Sequence, residues 1–259
     1  MKIKLSLIVV LTALLGLTYT SCKKNNSNPS GPALSAKQVS GQLALNVSQM
    51  LTSGFGAYSI TGGFNAPATM GMVKTKNGLR LNSDGDLLCG TVADTTLNYS
   101  YSDAGNSATV KGELKFTFGC TNGVLSSFTV FDNLTVGETT ADISVNYKLA
   151  EDLTVAALTL NDDNTNISLN GTLSLGGNYT YKGSTKGSGT SSFAYTFHNI
   201  IADAGGDLIS GSADFQTSGT GTNGVWNYTG TITFLGNNQA KVVINGANYT
   251  VNLLTGAVS

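Results

Sequence analysis

One His, three Cys and 15 Asp and Glu are the groups from which this chain of 259 residues must build any metal or acid–base centre. His198 lies in the run Phe193-Ala194-Tyr195-Thr196-Phe197-His198-Asn199, on the polar phase opposite Phe193, Tyr195 and Phe197. A Ser–His–Asp hydrolase holds its base within hydrogen-bond reach of a nucleophile, and no Gly-x-Ser-x-Gly elbow accompanies this histidine. His198 therefore reads as an exposed strand residue. Without a second His or a free Cys pair, a catalytic zinc site lacks its ligands.

The carboxylates fall mostly in turns. Asn82-Ser83-Asp84-Gly85-Asp86 and Asp162-Asp163-Asn164-Thr165-Asn166 place oxygens at alternate positions, as calcium loops do. Ala93 and Leu173, however, stand where the closing Glu would be. Asp and Asn bond their own backbone in turns, and that is the reading adopted. A glycosidase needs two facing carboxyl groups about 5–10 Å apart, and the spacing of these residues selects no such pair. The best case for ligand contact is aromatic: Tyr179, Tyr181, Tyr195, Trp226 and Tyr228 would make a stacking surface for sugars if they shared an open face. The competing reading is core or cross-strand packing, for which strands also recruit aromatic residues. No cofactor is expected.

The first residues carry a different kind of chemistry. Lys2 and Lys4 precede the apolar run Leu5–Leu17, and Thr18-Tyr19-Thr20-Ser21 leads to Cys22. This is the basic, apolar and small-residue order of a secretory signal, and the polar Lys23-Lys24-Asn25-Asn26 that follows makes it too short for a membrane span of about 20 residues. The segment resembles the signals of bacterial lipoproteins, which end in small residues before an invariant Cys. The resemblance implies cleavage after Ser21 and a diacylglycerol on Cys22, leaving 1–21 as signal and 22–34 as a flexible tether. Several acyl chains, each methylene contributing about 0.8 kcal/mol, would hold the protein stably at a membrane. No Asp follows Cys22, so the resemblance points to the outer membrane. Cys89 and Cys120 are then an even pair in an oxidising space, where a disulfide is the default.

Composition limits the partners. A net charge of −1 provides no positive field for phosphates, so nucleic acid is not expected. Charged residues make up 11% of the chain, under half the roughly 25% of ordinary soluble domains, while 32 Gly is close to twice the usual share. Three Pro exclude a proline-rich linker, and neither disorder nor a coiled coil fits.

The elements that must position these residues are mostly strands. One helix is predicted over 35–51, with a Ser35/Gln38 capping box and Val39, Leu43, Val47, Met50 and Leu51 on one stripe. Gly41 weakens it by about 1 kcal/mol. Residues 52–86 are irregular. From about residue 87 the period is two, clearest where Val110, Gly112, Leu114, Phe116 and Phe118 alternate with Lys111, Glu113, Lys115 and Thr117. Further strands follow to residue 254, divided by Asp162-Asp163-Asn164, Gly176-Gly177, Gly205-Gly206, Asn237-Asn238 and Asn245-Gly246. Strands are read at 124–131, 140–149 and 152–160, so interruptions also fall over 132–139 and between residues 149 and 152. No interruption is long enough for a parallel crossover, so the fold expected over 35–259 is one mainly β domain. It is a long antiparallel meander, forming a curled sheet, barrel or sandwich, with an amphipathic helix at its start. This layout is similar to the half-barrel carriers of the lipoprotein-localisation type, which shelter lipid between sheet and helix.

The function expected is that of a membrane-anchored envelope lipoprotein with a non-catalytic binding or structural role. Its partners would be the membrane, through lipid on Cys22, and a carbohydrate or apolar ligand. A carrier of apolar molecules in a helix/sheet cavity and a secreted hydrolase such as a glycosidase are the alternatives.

Overall fold

The computed structural model describes residues 33–53, 58–64, 89–103, 105–160, 162, 164–182, 187–221 and 224–259. It is mainly β: ten strands, β1 (Val92–Asp103), β2 (Asn106–Thr121), β3 (Val124–Thr139), β4 (Ile143–Ala157), β5 (Ile167–Tyr181), β6 (Gly187–Ala202), β7 (Leu208–Gly221), β8 (Gly224–Gly236), β9 (Gln239–Ile244) and β10 (Ala247–Asn252), form one sheet in sequence order. Every pairing is antiparallel and the sheet does not close. Of the three forms expected for the meander, this is the curled sheet.

The turns follow the Asn and Gly residues. Asn245-Gly246 and Asn122-Gly123 have positive φ at both positions, as do Asn237 and Asn238, the conformation that two-residue hairpins favour. Three expected interruptions are strand. β3, expected to end at residue 131, runs on to Thr139, because Asp132, Leu134, Val136 and Glu138 continue its buried inward phase. β4 runs from Ile143 to Ala157 because its inward phase continues through Glu151, between Leu149 and Leu153. β5 passes through Gly176 and Gly177, which pair with Lys148 and Tyr147. A Cβ on Gly177 would strike the Tyr147 ring and the Asn146 carbonyl, so this glycine makes room for a neighbour in mid-strand and does not end one.

One helix, α1 (Ala36–Ser53), opens the domain. Its capping box is formed: the Ser35 backbone N–H donates to Gln38 Oε1 at 2.9 Å, and the Gln38 N–H donates to Ser35 Oγ at 3.3 Å. Val39, Leu43, Val47, Met50 and Leu51 are buried, the stripe that the spacing predicts. Leu45 is buried as well, because the C-terminal tail covers α1 from the other side and Gly256 packs against Gly41 and Leu45. The helix lies against β8, β9 and β10, and the fully buried Tyr195 donates its hydroxyl to the Leu43 carbonyl at 3.3 Å. Just before α1, Ala33 bridges β8 at Val225 and the Leu34 carbonyl accepts from the Tyr228 hydroxyl at 2.6 Å, which fixes where the N-terminal segment joins the domain. A short 3-10 helix, Ile60–Gly62, adds Tyr58 and Ile60 to the core beside Phe128. No helix among the described residues is long and apolar enough to cross a membrane.

Candidate functional site

The two faces of the sheet differ sharply. Inward positions are mostly apolar and buried, while outward positions are mostly Ser, Thr, Asn, Asp, Lys or Gly. One outward row, read through the pairing register, runs Asp94, Lys115, Phe131, Asp152, Thr172, Thr196, Asp214 and Thr231 across β1 to β8. Phe131 is the only Phe, Tyr or Trp at an outward strand position among the described residues, and it is 40% exposed.

Around Phe131 the outer face is concave. A groove of about 830 Å³ is lined by Asp94, Thr96, Glu113, Lys115, Phe131 and Asp152, with Thr117 and Thr129 along one side. Two glycines bend the flanking strands. Gly112 in β2 and Gly171 in β5 hold φ values of 145° and 125°, which side-chain-bearing residues rarely adopt, and a Cβ on either would strike the carbonyl of Asn133 or Asp152. The volume falls within the roughly 300–1,000 Å³ of small-molecule sites. Its chemistry is an exposed ring set among hydroxyls, three carboxylates and one ammonium, which suits a ligand with both an apolar face and many hydrogen-bonding groups. Sequence reading missed this site because its residues are far apart in the chain and meet only through register. The one available signal was Phe131, on the polar phase of an alternating strand.

Beneath the groove, on the inward side of the same strands, the fold brings two carboxylates together. Asp132 and Glu151 are cross-strand partners and are 0% and 3% exposed. Asp132 Oδ1 accepts from the Glu151 backbone N–H at 3.0 Å. Leu114 and Leu173 continue their row on either side. Here is a facing pair of the kind a glycosidase requires, but sealed inside the sheet and not opened to a cleft. Farther along β3, Glu138 is buried with Oε1 unpartnered, and burial raises its carboxyl pKa above the usual value.

The aromatic residues proposed for stacking all point inward. Tyr195 is fully buried against Phe197, and Tyr179 meets Tyr181 edge-on at 5.4 Å between ring centres. Trp226 lies over Gly219 and donates Nε1–H to Thr217 Oγ1 at 3.0 Å, while Tyr228 is tied to Leu34. Tyr179 packs beside Gly189 and Gly221, as Trp226 does beside Gly219, and Tyr181, Trp226 and Tyr228 are partly buried against the core. His198 is outward and exposed, with Nε2 within hydrogen-bond distance of Asp214 Oδ2 at 2.9 Å. Ser212 stands opposite His198 on β7 but shares no hydrogen bond with its ring. Asp162 Oδ1 accepts from the Asn164 N–H at 2.9 Å, a turn-forming bond. Cys22, the loop 82–86 and Asp163 lie outside the described residues.

Cys89 and Cys120 are bridged, tying the segment before β1 to the end of β2. Cys120 sits at a register shift after Gly119, where the irregular strand end brings it to the incoming chain. Compared with protein-family models, with curated proteins and with solved structures, the chain matches none.

Proposed function

We propose that the protein is an envelope lipoprotein, held at the outer membrane by lipid on Cys22, whose β domain binds a ligand without catalysing a reaction. The Cys89–Cys120 disulfide carries the reading: such bonds persist in oxidising compartments and are rare in the cytosol. It also accounts for two of the three cysteines and leaves Cys22, at the end of the signal-like segment, as the residue for acylation. With lipid on Cys22, about ten residues would separate it from Ala33 and Leu34 on β8, a reach of roughly 30 Å if extended. The outward groove with its exposed ring supports binding as the role. The carboxylate pair Asp132/Glu151 does not favour hydrolysis, since a substrate would have to open the core to reach it. Fractionation tests the anchor: the wild type is expected with membranes and Cys22→Ala in the soluble periplasmic or secreted fraction. Membrane retention of that variant would overturn the proposal.

A further inference from the structure

Resting on the reading of the domain as a binding module, we propose that the groove across β1 to β4 holds an uncharged carbohydrate chain, with a sugar ring stacked on Phe131. A sugar has a flat C–H face and a rim of hydroxyls, and the groove supplies both complements. Phe131 is the one Phe, Tyr or Trp at an outward strand position among the described residues, and it lies exposed beside the groove on a mostly polar face. Asp94 and Asp152 lie in its row, with Lys115 between Asp94 and the ring, while Thr96 and Glu113 occupy the next row. All four charged residues line the groove, and no salt bridge joins them to another described residue. Carboxylates and an ammonium around an aromatic ring hold a sugar by bonding paired hydroxyls while the ring takes its apolar face.

The charges narrow the class. Three carboxylates to one ammonium leave the lining with two net negative charges, which repel phosphate groups, uronate polymers and anionic lipid headgroups. A cation is disfavoured for a different reason: Lys115 is the cross-strand partner of Phe131 and lines the same groove, so its positive charge would oppose a cationic ligand stacked on that ring. An uncharged polyol meets neither penalty. Beyond the groove the row continues as Thr172, Thr196, Asp214 and Thr231, one polar side chain for each strand spacing of about 4.8 Å. This track runs across the strands and favours an extended glycan over a monosaccharide.

Full-length protein, recovered from membranes in mild detergent, would be tested on an array of neutral glucan, mannan and galactan oligosaccharides beside uronate-containing ones. Binding to at least one neutral series is expected, increasing with chain length. Phe131→Ala should weaken it about tenfold or more, Asp152→Asn should weaken it, and Phe131→Trp should preserve it. A thermal melt on each variant separates lost binding from lost fold. No neutral ligand, equal binding by folded Phe131→Ala, or preference for the uronate series would overturn the inference. The anchor is read separately from the mass of the Cys22 peptide: lipid without glycan binding defeats this inference alone, and glycan binding without lipid defeats the anchor alone.

Discussion

At the residue scale, stability depends on a few groups that the alternating pattern conceals. Asp132 is on the inward phase of β3, between Val130 and Leu134, where the pattern calls for an apolar side chain. Its Oδ1 satisfies the Glu151 N–H, so Asp132→Ala should lower unfolding free energy in urea by about 1–3 kcal/mol. Asp132→Asn keeps an acceptor oxygen and should lose less; equal losses would show that the hydrogen bond is not the reason. The disulfide belongs to the same scale. Its two cysteines are 31 positions apart, and closing a loop of that length stabilises the fold by roughly 3–4 kcal/mol in the chain-entropy estimate. The double Ser variant should therefore melt roughly 10 °C lower. An unchanged melting temperature would mean that the denatured chain gains little freedom when the bridge is absent.

Elements are where the sequence was most readable and where its punctuation misled. The capping box, the helix stripe, the Asn-Gly turns and the antiparallel meander follow from local spacing, because each depends on neighbours within a turn or a hairpin. Gly176-Gly177 and the carboxylates at 151–152 resemble strand breaks locally, but β4 and β5 continue through them. Their reasons are tertiary: a ring from the next strand occupies the space over Gly177, and Glu151 faces Asp132. The groove was not readable at all, since it exists only once four strands are in register. Gly41 carries the same lesson. Helix propensity alone predicts that Gly41→Ala stabilises α1 by about 1 kcal/mol. A Cβ there would meet the Gly256 carbonyl and Val258, so the variant should instead lose about 1–3 kcal/mol as the C-terminal tail is displaced. A raised melting temperature would contradict the close packing of tail and helix.

At the scale of the whole molecule, one sheet separates an apolar interior covered in part by α1 from a polar outer face, and the chain before Ala33 leads to Cys22. The interior makes stability depend on pH through Glu138. Burial raises its carboxyl pKa in the fold, so the native state holds its proton more tightly than the unfolded chain. The penalty is absent below the unfolded value near 4.5 and grows as pH rises through the folded one. Glu138→Gln should thus melt higher than wild type at pH 7, with the difference vanishing toward pH 4; a constant offset would point to packing instead of charge. On the proposed reading, the outer face and the anchor would together define the role, that of a domain tethered at the envelope surface and presenting a glycan-sized groove. One intact-mass spectrum of the non-reduced protein, purified from native membranes, tests that role most directly. The account predicts a chain beginning at Cys22, heavier by a diacylglycerol with or without a further acyl group, and lighter by the two hydrogens of the Cys89–Cys120 bond. A chain with another start and no lipid mass, or one with both thiols intact, would contradict it.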